Sequence, residues 1–77
     1  MWKEIVEKTG VKRWDYSIVS GTGDMPVFEY GGHIEEDPNG DDWLYAYDKN
    51  NGFITHFLEL DDAKKAVEEA ARGRKYF

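Results

Sequence analysis

The chain reads as an α+β domain: a short N-terminal helix, a four-stranded, mainly antiparallel sheet, and a C-terminal helix packed on one face. Three observations predict it. From Trp14 to about Leu60, apolar and aromatic side chains tend to alternate with polar ones at a period of two. Turn-forming runs (Ser20-Gly21-Thr22-Gly23, Pro38-Asn39-Gly40 and Asn50-Asn51-Gly52) cut that stretch into pieces of strand length. Beyond Asp61 the period becomes helical, and Ala63, Ala66, Val67 and Ala70 fall on one side.

Each element has its own signal. Trp2, Ile5 and Val6 stand at i, i+3 and i+4 with Gly10 as a stop, which predicts a helix over 2–9. So short a helix is stable only if it docks through that apolar face. Trp14, Tyr16 and Ile18 alternate with Asp15, Ser17 and Val19 in a first strand. Phe28, Tyr30 and Ile34 alternate with Glu29, His33 and Glu35 in a second, where Gly31-Gly32 invites a bulge. Trp43 to Tyr47 is a third strand and Phe53 to Leu60 a fourth, with Asn50-Asn51-Gly52 as their hairpin turn. The closing helix runs from about Asp61 to Arg72 and stops at Gly73, and Arg74-Lys75-Tyr76-Phe77 reads as a loosely held tail.

The hairpin register decides which rings are buried, because a slip of one residue exchanges the two faces. With Asn51-Gly52 as a two-residue turn, Ala46 faces Phe57. Trp43, Tyr45, Tyr47, Ile54, Leu58 and Leu60 then form a core under the helix, and Leu44, Ala46, Thr55, Phe57 and Glu59 lie outside. A three-residue turn would instead group Leu44 with Leu58. The first register is favoured because it makes one face strongly apolar.

Seventy-seven residues make a single domain, 1–77, with a modest core. Ile, Leu, Val and Phe are scarce, and three Trp with five Tyr supply the buried area that the aliphatics lack. The absence of cysteine excludes disulfides and thiolate zinc sites. No apolar run reaches membrane-spanning length, and the opening segment is too charged for a signal peptide. A cytoplasmic protein that contacts neither membrane nor nucleic acid directly is expected, since its net charge of −6 repels both.

That charge is unevenly placed. Residues 14–62 hold twelve of the sixteen carboxylates, nine of the twelve aromatic rings and one basic side chain, Lys49. On the outer strand face Asp15, Glu29 and Glu35 are expected around Leu44 and Phe57, joined by Glu59. Glu36, Asp37, Asp41 and Asp42 lie in the neighbouring loop. Carboxylates around an apolar centre suit a partner protein with a basic surface. The plainer reading is a solvated face, although a face built only for solubility mixes both signs. Asp37, Asn39 and Asp41 have the first spacing of a calcium loop, but Asp42 and Asp48 stand where that motif wants Gly and Glu. Neither a metal nor another cofactor is expected. His56 reads as a core histidine. His33 on the acidic face is expected to have a raised pKa, and a small metal protein or enzyme built around it is one alternative. No nucleophile–base pair is recognisable, so a non-enzymatic role is preferred.

The segment Gly52-Phe53-Ile54 through Phe57, followed by Leu60-Asp61-Asp62-Ala63-Lys64-Lys65-Ala66, resembles the last strand and helix of many small phage-encoded proteins of unknown role. The resemblance covers about a third of the chain. It implies a setting in which small acidic proteins block host enzymes, sometimes by imitating the charge of DNA. The leading expectation is therefore a small acidic interaction protein, a phage-type inhibitor that docks on a nucleic-acid-binding surface of its partner. The other alternative is a small-molecule or nucleotide binder that stacks its ligand on exposed rings, with a homo-oligomer interface as one place for the site.

Overall fold

Strand pairing begins at Trp2, well before Trp14. A computed structural model describes residues 1–73, and the tail from Arg74 to Phe77 lies outside the described residues. The elements are β1 (Trp2–Val6), β2 (Lys12–Ser20), β3 (Val27–Glu36), β4 (Leu44–Tyr47), β5 (Phe53–Phe57) and α1 (Leu60–Ala71). The strands form one antiparallel sheet in sequential order, and α1 crosses one face, touching β2 to β5.

The expected N-terminal helix is instead the edge strand β1, with Trp2 opposite Tyr16 and Val6 opposite Lys12. The physical reason is local weakness met by a tertiary opportunity. One short apolar stripe cannot hold a helix of two turns. The open edge of β2, by contrast, offers a full backbone ladder. Trp2 also gains more in the strand: its ring lies 4.9 Å from Tyr16 and its Nε1–H donates to Glu68 Oε2 at 2.8 Å. Gly10, at φ 87°, ends the tight turn into β2, where its amide donates to the Glu7 carbonyl at 2.9 Å.

Gly31-Gly32 does make a bulge. Tyr16 faces Gly32 while Ser17 faces Tyr30, so Gly31 is the extra residue. Gly32 sits at φ 129°, and a Cβ there would come within 2.7 Å of Val67 Cγ1 and 2.6 Å of the Tyr47 carbonyl oxygen. The helix therefore rests directly on backbone at this point. Beyond the bulge, residues 18–29 form a two-stranded arm that no other strand flanks.

The core lies between sheet and helix. Trp14, Ile34, Leu44, Ala46, Ala63 and Val67 are buried, and Trp2, Tyr16, Ile54, Phe57 and Leu60 pack around them. The alanine-lined side of the closing helix is thus as expected, whereas the hairpin register is not. Leu44 faces Phe57, Ala46 faces Thr55 and Tyr45 faces His56, and a shift then lets Tyr47 face Phe53. Leu44, Ala46, Thr55 and Phe57 do share a face, but it is the inner one. Tyr45 and Tyr47 look outward, and Trp43 and Leu58 are exposed.

The turn explains this. It spans 48–52, not two residues. Asp48 Oδ1 accepts from the amides of Asn50 at 2.9 Å and Gly52 at 2.8 Å, while Asn51 takes φ 62°. Volume decides the rest. A helix lined by alanine comes close to the sheet, and Ala46 and Gly32 leave room for it where two tyrosines would not.

Candidate functional site

Three connections meet at one end of the sheet and leave a wide-mouthed groove of about 780 Å³ between them. They are the β1–β2 turn, the loop between β3 and β4, and the link from β5 into α1. Trp14, Leu44 and Leu60 form its apolar floor, and Trp43 and Leu58 stand at its rim, 37% and 61% exposed. Glu36, Asp37, Asp41, Asp42 and Glu59 line it, and no Lys, Arg or His does. A smaller recess of about 260 Å³ beside it adds Glu7 and Glu35.

The loop holds its shape through Asp37, which is buried. Its Oδ1 accepts from the Asn39 amide at 2.8 Å, and its Oδ2 accepts from the Tyr45 hydroxyl at 3.0 Å. The Asp37 amide in turn donates to the Trp43 carbonyl at 3.0 Å. Asp37 is thus spent on the fold, and the neighbouring carboxylate pushes the Tyr45 phenol pKa up. Glu36 accepts from the Lys12 amide at 2.7 Å. The carboxylates of Asp41, Asp42 and Glu59 have no cationic partner among the described residues. Glu59 is also the residue before α1, where Asp61 and Asp62 occupy the first turn. Among the described residues no group of three or more His, Asp or Glu is arranged to hold a metal ion.

The outer face of the sheet differs from the expected acidic one. Arg13 Nε lies 2.6 Å from Asp15 Oδ1, and its Nη1 lies 3.7 Å from Glu35 Oε1. Asp15 is thus paired and Glu35 shares the same cation, and Asp15 above all raises the Arg13 pKa. The signal was in the sequence: Arg13 and Asp15 are two apart in a strand and so share a face. Glu29 pairs with Ile18 on the arm, and by alternation from Tyr16 it points to the helix side. Leu44 and Phe57 lie under the helix, not between the outer acids.

His33 sits buried on this outer face. Its ring stacks on Tyr47 at 4.6 Å, Nε2–H donates to Glu35 Oε1 at 3.1 Å, and Nδ1 accepts from the Tyr30 hydroxyl. The expected rise in its pKa does not occur. Burial lowers it, Arg13 lowers it further, and the pull of Glu35 and Asp15 does not compensate. Carboxylate, imidazole and hydroxyl stand in the order of a proton relay. Burial lowers the basicity of His33 and raises the Tyr30 phenol, so passing a proton from Tyr30 to His33 is less favourable than between free groups. The trio works as a clasp that ties β3 to the 48–52 turn, where the Tyr30 hydroxyl lies 3.1 Å from Asn51 Oδ1.

The structure therefore gathers Glu36, Asp37, Asp41, Asp42 and Glu59 into one site and leaves Asp15, Glu29 and Glu35 out of it. Sequence reading missed Trp14, Trp43, Leu58 and Leu60 as parts of the site. Comparison with known proteins finds no match among family models, curated proteins or solved structures. Among the described residues no helix is long and apolar enough to cross a membrane.

Proposed function

We propose that this is a non-enzymatic interaction protein whose acidic groove receives a basic segment of a partner protein. One observation carries the reading: five carboxylates and no basic side chain line a groove with an apolar floor. Such a site complements a lysine or arginine side chain flanked by an apolar one. The charge draws the segment in, and contact with Leu58, Trp43 and the floor holds it. Outer-face carboxylates at regular strand spacing would have suited imitation of DNA, but Asp15 and Glu35 are already paired with Arg13. Recognition of individual cationic side chains is the better supported mode. A partner surface of that kind, including one that otherwise holds nucleic acid, would be blocked when occupied, which makes the protein an inhibitor.

The test is a titration with an Arg/Leu peptide and its Glu/Leu counterpart, following tryptophan emission. The Arg/Leu peptide should bind, and its affinity should fall roughly tenfold between about 50 and about 300 mM salt. Binding should be lost when Asp41, Asp42 and Glu59 are replaced by Lys. Equal affinity for both peptides, or survival of binding in the triple variant, rejects the reading.

A further inference from the structure

The helix covers one face of the sheet, and among the described residues no element covers the other. That open face is unusually aromatic. Val19 and Phe28 pair two positions beyond Ser17 and Tyr30, so all four point the same way. Val19, Phe28, Tyr30 and Phe53 are 48%, 55%, 39% and 57% exposed. Tyr47 joins the two ends of this strip, its ring 4.6 Å from His33 and 5.8 Å from Phe53. The strip thus runs from the projecting arm to the edge of the sheet.

Area and charge say what fits it. Two strands of nine and ten residues and three of four or five, about 4.8 Å apart with a rise of about 3.4 Å per residue, give a face on the order of 500 Å². Its aromatic strip takes up part of that area, and the largest apolar patch of a monomer is often functional. A standard interface takes about 800 Å² from each partner. The face is also electrically balanced: Lys3 and Arg13 stand against Asp15 and Glu35. Two copies that each carry −6 repel through their acidic ends, and this neutral face is where that repulsion costs least. An aromatic surface without net charge does not repel its own image, and a two-fold interface sets the same patch against itself.

We propose that the open sheet face is the interface of a homodimer, in which two copies pack sheet on sheet about a two-fold axis. The arm of each copy lies over the partner's sheet, which gives this isolated two-stranded ribbon the packing it lacks in a monomer. The acidic groove, floored by the helix-side residues Trp14, Leu44 and Leu60, remains open in both copies. The proposal does not depend on what that groove binds.

Sedimentation equilibrium from about 1 to about 200 μM tests it, since a dimer's population follows concentration by mass action. The native chain should reach twice its 9.0 kDa mass. Replacing Phe28 and Phe53 together by Ser should weaken association at least about tenfold while the circular dichroism spectrum keeps its shape, because both rings are more than half exposed. Should that variant unfold, solvent paramagnetic relaxation on the native protein decides: the Phe28 and Phe53 ring signals must be shielded at high concentration and exposed at low. A native chain that stays monomeric throughout the range overturns the proposal, including one whose open face instead takes up a neutral sugar or nucleobase. So does a dimer indifferent to the double substitution, which would place the contact elsewhere, such as the β1 edge.

Discussion

His33 shows how one side chain can stand among carboxylates and still be held neutral. Asp15 and Glu35 favour its charged form, but burial and the Arg13 guanidinium outweigh them. The consequence for stability has a definite sign. An unfolded histidine titrates near 6.5, and the folded value lies lower, so between the two the unfolded chain binds more protons. The contribution of His33 is therefore complete above about pH 6.5 and is lost as pH falls through the folded pKa. Urea unfolding should show a lower midpoint at about pH 5.5 than at about pH 7.5, and His33→Gln should flatten that slope. An equal slope in the variant would mean that another group is responsible.

At the scale of elements, the β4–β5 hairpin shows how a turn residue can govern a whole face. Asp48 satisfies two turn amides with one carboxylate oxygen, at 2.8 and 2.9 Å, and its own amide donates to the Gly52 carbonyl at 2.9 Å. The resulting five-residue connection, with its register shift at Ala46 and Tyr47, turns Leu44 and Phe57 inward and Tyr45 outward. Asp48→Ala removes both acceptor contacts and should cost about 1–2 kcal/mol in thermal or urea unfolding. Asp48→Asn keeps an oxygen in the same place and should cost clearly less. If the two variants are equally destabilised, the carboxylate's contacts are not what closes the turn. β1 teaches the converse lesson, since nothing in its own residues forbids a helix and only the waiting edge of β2 makes it a strand.

For the molecule as a whole, the uneven charge distinguishes the two proposed associations. The groove gathers carboxylates without a counter-charge, while the open face is balanced and aromatic. Salt should therefore act on them with opposite signs. Screening weakens capture of a basic peptide in the groove, but it relieves repulsion between two chains of −6 and strengthens their pairing. Measuring peptide affinity and the monomer–dimer equilibrium over the same salt series checks both at once. If the two move together, groove and interface are not distinct surfaces.

Much of the fold was legible in the residues alone. The glycine pair at 31–32 marked a bulge, the small face Ala63-Ala66-Val67 marked the buried side of the closing helix, and the clustering of acids between Glu35 and Asp42 marked the most acidic end of the molecule. These are local properties: turn chemistry, side-chain size and charge act where they stand. Tertiary structure alone decided the rest. Whether Trp2 to Val6 would coil or pair depended on a neighbouring edge, and which rings were buried depended on a register set by Asp48 and on the space left by Ala46 and Gly32. Whether an acid was free depended on Arg13 across the face. Pairing, packing volume and counter-charge each require two distant segments to meet, and period and composition along one segment do not say which ones will.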